Sequence, residues 1–580
     1  MPLINCPYCG NRVSSLASVC VYCGSTVSDS DEDLMYEIRN KTLIKYHGNR
    51  EFVSIPGGVE AIGRGAFENC TSIVKVIIGN QVKTVGDFAF AGCTSLQHVT
   101  LEDSVTSIGF RAFAGCASLL EVKLPNTISA IPDRAFENCS SLEEIHLPSG
   151  VLHIGKEAFC NCHSLREIEI CDSVTSIYFE AFAFCKGLEE VRFGSSLVSI
   201  SGRAFFECKS LKRVDLPQSV QTLGEEAFFG CSALEEVNLN EGLMTMDMLS
   251  FGECTSLSEM TIPSTVTSIG VQAFRNCTAL RSVNLLEGLR EICSESFKGC
   301  ASLESISIPK SVKIFGFEVF CECPSLTYIE IGSIERWCRI EFSLAKGKPT
   351  VYDKRLSVNG EVIKKLVIPS TVEKVGDAAF ANCEEIESIE IEEGVTTIGS
   401  QTFLNCVNVK EISLPSTLAS IGKQAFYNCR SLERIKLSNE IVTIPNGAFG
   451  ECHSLKEVDM GNGVKLIDSL AFENCTSIEK IELSESLSSI SKNAFVGCSS
   501  LADVTVYKNI SSISAGAFEG CVSLKNVYFK FLEEEMPRIL VGDNPELDNI
   551  KLYFYSEEDL GASGNFGYYV TLKFSKNKKS

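Results

Sequence analysis

A cysteine follows a phenylalanine by three residues nineteen times in this chain of 580 residues, and the pair returns every 23 residues. Twelve of these cysteines run without a gap from Cys70 to Cys323, and seven more run from Cys383 to Cys521. A fixed period of this length is the signature of a solenoid, whose short units stack because none can bury a core alone. The repeat therefore predicts a long stack of coils rather than several globular domains.

Residues 105–125 show how the strand of each coil is encoded. Apolar residues alternate with others from Leu119 through Val122 to Leu124, as they do in a strand with one buried face. Pro125 follows this strand, and proline recurs there in many coils. Because proline cannot donate a backbone hydrogen bond, it ends the strand and turns the chain.

The rest of the coil carries the repeated phenylalanine. A second apolar pair that ends at Ile108 precedes Ala112-Phe113, and we predict one turn of helix there. The residue before each cysteine is Gly or Asn in 14 of the 19 coils, as at Gly115 and Asn138. Both residue types tolerate a positive φ, so this place is predicted to end the helical turn.

The repeated cysteines have two interpretations. One is a ladder of disulfides or metal sites, and the other is a column of small buried side chains. Coils stacked at strand spacing place equivalent residues about 5 Å apart. Metal ligands must converge on one point, whereas a column spreads them. We therefore predict that the phenylalanine and cysteine columns form the core.

The repeat frame extends beyond the cysteines and predicts about 22 strands in all. The fold class is predicted as strand-rich α/β, a solenoid of stacked coils with a parallel sheet, preceded by a small zinc ribbon. The predicted organisation is a zinc ribbon at 1–27, an acidic linker at 28–35, the N-terminal half of the solenoid at 36–331, an irregular long coil at 332–365, the C-terminal half at 366–555, and a closing segment with a basic tail at 556–580.

The long coil of 37 residues is the main irregularity in the repeat. It holds Trp337, the only tryptophan of the chain. Asn359-Gly360 lies between two short apolar segments, which is a strong signal for a β-hairpin. The insertion is either a binding feature on one face of the solenoid, with Trp337 as a partner contact, or a local packing irregularity.

Four cysteines outside the column have the spacing of metal ligands. Cys6 and Cys9 form one Cys-x-x-Cys pair, and Cys20 and Cys23 form another ten residues later. Two such pairs supply the four thiolates of a tetrahedral Zn²⁺ site with no open position for catalysis. A disulfide pair and a redox Cys-x-x-Cys are the alternatives. We predict one structural Zn²⁺, which would supply the folding energy of this small unit.

Charge and composition narrow the classes of partner. The formal net charge of -22 argues against general binding to a phosphate backbone, so no nucleic-acid partner is expected. No apolar stretch is long enough to span a membrane. Many thiols without a signal peptide fit a reducing compartment, so a cytoplasmic location is expected. No catalytic residues are predicted, because most histidines occupy unrelated places in the repeat, and His98 and His146, which share the exposed strand face, are two coils apart.

One face of the predicted sheet carries a row of carboxylates. The fifth residue after the cysteine is glutamate in four successive coils, and Glu169 adds to the band, which gives Glu121, Glu144, Glu167, Glu169 and Glu190. Stacked glutamates repel each other across neighbouring strands. The row is either an electronegative stripe for a basic protein partner or the ordinary solvated surface of an acidic protein.

The repeat Ile-Gly-x-x-Ala-Phe-x-x-Cys-x-Ser-Leu-x-x-Val-x-Leu-Pro resembles the BspA-like, cysteine-containing leucine-rich repeats, over residues 36–555. This resemblance implies a right-handed superhelix with a parallel sheet on its inner face, a protein-interaction surface and no enzymatic activity. Many relatives are secreted or surface adhesins. The predicted function is a cytoplasmic interaction scaffold with the zinc ribbon as an accessory docking module. The alternative is a non-classically exported cell-surface adhesin.

Overall fold

The computed structural model describes residues 3–5, 12–14, 35–343, 355–532, 539–547, 550–554 and 568–570. The chain forms two compact units. Unit 1 comprises Met1–Val266 and Gln272–Leu280, and unit 2 comprises Thr267–Val271 and Arg281–Ser580. Each unit is a stack of coils with two strands per regular coil, and the described chain makes about 21 turns.

The first strand column lies where the alternating apolar motif predicts it. Its strands pair in parallel with the equivalent residues of the next coil, as Val122 does with Ile145. The central residue of each strand points into the core because strand side chains alternate. In unit 1 the strands are Phe52–Ser54, Lys75–Ile77, His98–Thr100, Glu121–Lys123, Glu144–Ile145, Glu167–Glu169, Glu190–Arg192, Arg213–Asp215, Glu236–Asn238 and Glu259–Ile262. In unit 2 they are Ser282–Leu285, Ser305–Ile308, Tyr328–Ile331, Arg355–Val358, Lys365–Ile368, Ser388–Ile391, Glu411–Ser413, Arg434–Lys436, Glu457–Asp459, Lys480–Glu482, Asp503–Val506, Asn526–Phe529 and Lys551–Phe554.

A second strand column, which we did not predict, uses the shorter apolar pair of each coil. Its strands are two residues long and pair in parallel, as Ile108 does with Val85. In unit 1 they are Ala61–Ile62, Thr84–Val85, Ser107–Ile108, Ala130–Ile131, His153–Ile154, Ser176–Ile177, Ser199–Ile200, Thr222–Leu223 and Thr245–Met246. In unit 2 they are Ser268–Ile269, Glu291–Ile292, Ile314–Phe315, Glu341–Phe342, Lys374–Val375, Thr397–Ile398, Ser420–Ile421, Thr443–Ile444, Leu466–Ile467, Ser489–Ile490, Ser512–Ile513 and Leu540–Val541.

The predicted helical turn around Ala-Phe is wrong. This segment, which we call the turn column, bonds to the next coil instead. The N–H of Phe113 donates to Ala135 O at 2.9 Å, and the N–H of Gly115 donates to Glu137 O at 2.7 Å. Among the described residues, helix is confined to the α-helix Ile334–Trp337 and the 3-10 turn Pro545–Leu547. The α/β prediction is therefore corrected to a fold of strands and turns.

Positive φ angles explain why the turn column is not helical. The prediction of a left-handed residue before each cysteine is confirmed, as at Gly115 (φ 74°) and Asn138 (φ 61°). A second left-handed residue stands two places before each phenylalanine, often without being glycine, as at Arg111 (φ 54°) and Leu249 (φ 54°). Two left-handed residues per coil prevent consecutive helical turns.

The two residue columns form the core, as predicted. Phe90 and Phe113 stack with ring centroids 5.3 Å apart and planes 2° apart, and both rings are fully buried. The thiol of Cys116 is buried and donates to Phe90 O, at an Sγ–O distance of 3.2 Å. All repeat cysteines are free thiols. Burial raises the pKa of Cys139 to about 12, so this thiol stays protonated and unreactive at neutral pH.

An added strand pair lies at the N-terminal coils of unit 1 and another at the C-terminal coils of unit 2. At the N-terminus, Tyr36–Arg39 and Thr42–Tyr46 form an antiparallel hairpin, and the second strand pairs with Ala61–Ile62. At the C-terminus, Lys551–Phe554 pairs antiparallel with Tyr568–Val570. In the last turn-column segment, the N–H of Gly516 still donates to a backbone carbonyl, Asp543 O, at 2.8 Å. The N–H of Phe518 donates instead to Asn544 Oδ1 at 3.3 Å, and that of Gly520 donates to Glu546 Oε1 at 2.9 Å.

The long coil interrupts both strand columns of unit 2. In the first column, Arg355–Val358 forms the predicted hairpin with Glu361–Val362, and Lys365–Ile368 begins a separate sheet. In the second column, Glu341–Phe342 ends one sheet and the strand Lys374–Val375 begins another. The predicted hairpin at Asn359-Gly360 is thus confirmed, and the irregular coil divides the sheets of unit 2.

Candidate interaction surface

The predicted glutamates lie on the exposed face of the first strand column in unit 1. We call Glu121, Glu144, Glu167, Glu169 and Glu190 the glutamate stripe. Glu121 stands directly opposite Glu144 in the parallel ladder, and Glu167 stands opposite Glu190. Their neighbours in each strand point into the core, so the carboxylates face solvent, and the Glu121 side chain is 72% exposed. The structure thus brings four glutamates of successive coils onto one surface.

A shallow depression of about 50 Å³ lies within the stripe. Its charged lining consists of Glu144, Glu167, Glu169, Glu190 and Arg192, with His146 beside them. Four carboxylates against one guanidinium leave this surface strongly electronegative. A cationic side chain placed there would meet several carboxylates at once, which favours a basic partner.

Arg192 is the cation in the depression, while Lys123 is a second cation on the same exposed strand face, next to Glu121. The Nε of Arg192 lies 2.8 Å from Glu190 Oε1. The hydrogen bond to Glu190 raises the pKa of Arg192, and the charges of Glu190, Glu167 and Glu169 act in the same direction. Because the stripe carries more negative than positive charge, the field of Glu167 and Glu169 remains available to a second cation.

Two histidines stand at the edge of the same carboxylates. His146 Nε2 lies 2.9 Å from Glu144 Oε1, and His98 Nδ1 lies 3.5 Å from Glu121 Oε1. Each histidine neutralises part of the stripe only when it is protonated. The sequence did not single out these contacts, although both histidines occupy the exposed places of the strand motif.

Arg213 ends the stripe on its far side. Its guanidinium contacts Glu236 at 2.7 Å and also Asp215. The glutamate stripe therefore ends one coil after Glu190. This limits the electronegative surface to the four coils that carry the predicted glutamates.

Trp337 is not part of an exposed surface. It ends the helix Ile334–Trp337, its side chain is buried, and its indole Nε1 donates to Ala379 O at 2.6 Å. The ring packs edge-on against Phe315 and Phe342, with centroids 5.9 and 5.1 Å away. The prediction of Trp337 as a partner contact is therefore wrong, because the side chain holds the long coil against the core.

The predicted zinc ligands Cys6, Cys9, Cys20 and Cys23 lie outside the described residues, as does most of the acidic linker. The described strands Leu3–Asn5 and Arg12–Ser14 form an antiparallel pair around the first Cys-x-x-Cys. Elsewhere in the described chain, no cluster of three or more metal-ligating side chains occurs. None of the described helices is long and apolar enough to cross a membrane.

A cavity of about 490 Å³ lies beside the long coil in unit 2. Residues from Cys338 to Phe342 form one wall, and residues from Thr371 to Asp377 form the other. Sequence reasoning did not place a site there. The only sequence signal for this cavity was the length of the coil. That length shows that the repeat is interrupted, but it does not show where a cavity forms.

Comparisons with known proteins agree with the repeat. A family model described as a BspA type leucine rich repeat region of six copies matches residues 37–166, 152–258, 245–340, 358–449 and 419–537. No curated protein matches the chain.

Solved structures with similarity to this chain are also repeat proteins. A leucine-rich repeat protein from Bacteroides ovatus is 23% identical over 86% of this chain and 98% of that chain, with a TM-score of 0.32. A leucine rich cell surface protein from Faecalibacterium prausnitzii is 21% identical over 86% and 94%, with a TM-score of 0.26. The leucine rich repeat protein of T. pallidum is 27% identical over 38% and 86%, with a TM-score of 0.24.

Proposed function

This chain belongs to the family of BspA-type leucine-rich repeat proteins, and on that basis we propose that it is a non-enzymatic scaffold that binds a basic protein partner on the glutamate stripe. The observation that supports this proposal is the depression where Glu144, Glu167, Glu169 and Glu190 meet around Arg192. Like charges on adjacent strands destabilise the fold. A cationic partner relieves that repulsion, so binding and folding favour the same arrangement.

Charge reversal tests the stripe. The probe is a fluorescein-labelled peptide with alternating lysine and threonine, added to the full-length protein at low salt. We expect Glu144→Lys, Glu167→Lys and Glu190→Lys together to weaken binding at least about tenfold, because attraction becomes repulsion. Added salt should remove most of the difference.

The matched control reverses three glutamates on the same strand face of unit 2. Glu390→Lys, Glu411→Lys and Glu457→Lys change the net charge by the same amount, and we expect binding to remain within about threefold. Equal loss of binding in both triple variants would mean that net charge alone attracts the peptide, and the stripe would then be rejected as a site.

We further propose that residues 1–27 form a zinc ribbon that serves as an accessory docking module. The donor chemistry fits one structural Zn²⁺, since four thiolates in two Cys-x-x-Cys pairs complete a tetrahedron. The strand pair Leu3–Asn5 and Arg12–Ser14 brings together the two ends of the segment that carries Cys6 and Cys9. Metal analysis of the purified protein should give one zinc per chain, and Cys6→Ser with Cys23→Ser should abolish it.

The number of free thiols bears on the cellular location of the protein. Many free, buried cysteines fit a reducing compartment, so we propose a cytoplasmic protein. The alternative is an adhesin that reaches the cell surface by a non-classical route. Fractionation of cells, followed by surface proteolysis, separates the two, because only an adhesin would be cut in intact cells.

A further inference from the structure

The second strand column of unit 2 has an open edge at Glu341–Phe342. This strand pairs on one side with Ile314–Phe315. The N–H of Glu341 donates to Lys313 O at 2.8 Å, and the N–H of Ser343 donates to Phe315 O at 2.8 Å. Because backbone groups alternate along a strand, the N–H and C=O of Phe342 point to the opposite side. That side borders the cavity beside the long coil.

Lys374–Val375 has a matching open edge. It pairs on its far side with Thr397–Ile398, where Glu373 O accepts from Thr396 N–H at 2.9 Å and Val375 O accepts from Gly399 N–H at 3.0 Å. The N–H and C=O of Lys374 therefore point back to the cavity. Within the described ranges, no strand pairs with either edge.

The two edges approach each other at one end of the cavity only. The N–H of Gly376 donates to Cys338 O at 2.7 Å. A side chain at Gly376 would collide with the backbone, because its Cβ would lie 2.8 Å from Ile340 O. In a regular coil, the N–H of the equivalent glycine donates to the carbonyl of the last residue in the second-column strand of the preceding coil, as Gly399 does to Val375 O. The displaced contact at Cys338 leaves the edge groups of Phe342 and Lys374 without their usual ladder partners.

The charges around the cavity select the kind of strand that fits. Glu341, Glu373 and Asp377 line it, with Lys374 and Arg339 as the cations. Arg339 is already paired with Glu335 at 3.0 Å and donates to Thr371 O. Asp377 Oδ1 accepts a hydrogen bond from the N–H of Ser400 at 2.9 Å. Among the described lining residues three carboxylates still stand against two cations, so the lining attracts positive charge.

We propose that this cavity binds an extended basic peptide of a partner protein, which adds a strand between the edges of Phe342 and Lys374. Backbone hydrogen bonds to two edges give affinity, and the acidic lining selects lysine or arginine. This site lies in unit 2 and is separate from the glutamate stripe. It can therefore be correct or incorrect independently of the proposed function.

The test measures fluorescence anisotropy of the peptide Lys-Val-Thr-Val-Lys-Val-Thr, labelled at its N-terminus, with the full-length protein. The same peptide with N-methyl groups on alternate residues keeps its charge but loses the N–H donors that face one of the two edges, because backbone groups alternate along a strand. We expect N-methylation and Glu341→Lys each to weaken binding about tenfold, and Lys374→Glu to strengthen it. Glu291→Lys is the matched control, because Glu291 occupies the place of Glu341 in a fully paired part of the ladder.

Four outcomes would overturn the proposal. The first is equal binding of the methylated peptide, because strand addition requires its donors. The second is equal weakening by Glu291→Lys and Glu341→Lys, with unchanged melting curves for both variants. The third is binding that appears only after residues 344–354 are replaced by Gly and Ser, since this chain would then itself be the occupant. Dissociation of a dimer by the peptide would point to a second copy and would also overturn it.

Discussion

The regular coils and the long coil use different side chains to fill the core and to donate a hydrogen bond to a buried backbone carbonyl. In a regular coil the phenylalanine ring stacks on its neighbours and the thiol donates to a phenylalanine carbonyl of the preceding coil, as Cys208 does to Phe182 O at 3.2 Å. In the long coil, Trp337 fills the core and its indole donates to Ala379 O. Regular coils continue both strand ladders. At the long coil both ladders are interrupted, but Trp337 still fills the core. The core and the ladders are therefore separable features of this fold.

Alkaline pH should have the largest effect, because it acts on buried thiols in many of the regular coils. Burial raises the pKa of Cys139 and Cys277 to about 12 from an ordinary value of 9.0. Above pH 9 the unfolded chain loses these protons and the folded chain keeps them, so the free energy of unfolding falls as pH rises towards 12. The loss is about 1.4 kcal/mol per thiol and pH unit. Urea unfolding at pH 8, 9 and 10 measures it.

A double variant provides the control for this pH dependence. Cys139→Ala with Cys277→Ala removes two titrating thiols, so the stability of the variant should fall less steeply above pH 9 than that of the parent. An unchanged slope would show that the column does not control the alkaline limit.

Removing one ring from the regular column should cost about 3–5 kcal/mol. Phe205→Ala leaves a cavity between Phe182 and Phe228, whose centroids each lie 5.2 Å from that of Phe205. Because solenoid coils interact mainly with their neighbours, hydrogen exchange should accelerate in adjacent coils first. Phe205→Leu, which keeps most of the volume, should cost clearly less. Equal losses would indicate that ring stacking, rather than volume, stabilises the column.

Trp337→Phe tests whether the indole hydrogen bond stabilises the long coil, and it removes less side-chain volume than Phe205→Ala does. It keeps an aromatic ring beside Phe315 and Phe342 but leaves Ala379 O without the indole donor. We expect a loss of about 1–3 kcal/mol, the range for an unsatisfied buried polar group. Thermal unfolding of the purified variant measures it. A neutral result would mean that ring packing alone secures the long coil.

Neutralising one stripe glutamate should have the smallest effect. Glu167→Gln removes like-charge repulsion with Glu190, its partner in the ladder. We expect a gain of about 0.2–1 kcal/mol at low ionic strength that fades as salt is added. Glu411→Gln, on the same strand face of unit 2, serves as the reference. A loss of stability in Glu167→Gln would contradict repulsion within the stripe.

The sequence was sufficient for the features that repetition encodes. It placed the first strand column, the buried Phe and Cys columns, the hairpin at Asn359-Gly360 and the left-handed residue before each cysteine. It did not give the second strand column, because strands of two residues, such as Ser107–Ile108, exist only through bonds to neighbouring coils. The helical turn was predicted wrongly because Arg111 and its equivalents have positive φ without being glycine.

The sequence likewise predicted some residues of the candidate sites correctly and others not. The stripe glutamates were identifiable because the strand period fixes which side chains face out. Trp337 was misassigned, since a unique aromatic residue in an insertion gives no indication of its burial. The cavity beside the long coil depends on a shift of Gly376 onto Cys338 O, and no local motif records such a shift. The zinc ribbon remains a prediction from cysteine spacing.

The caps at Asn544 and Glu546 have a consequence for assembly size. In the turn column, the N–H groups of a regular coil donate to the carbonyls of the next coil. The last regular coil has no regular coil after it, so the N–H groups of Phe518 and Gly520 would lack their usual acceptors, like the open end of a growing polymer. The side-chain oxygens of Asn544 and Glu546 occupy the final donors and bring no further carbonyl ladder with them. At this end of the turn column they act as chain terminators, because the described donors of Phe518 and Gly520 are no longer available to a second molecule.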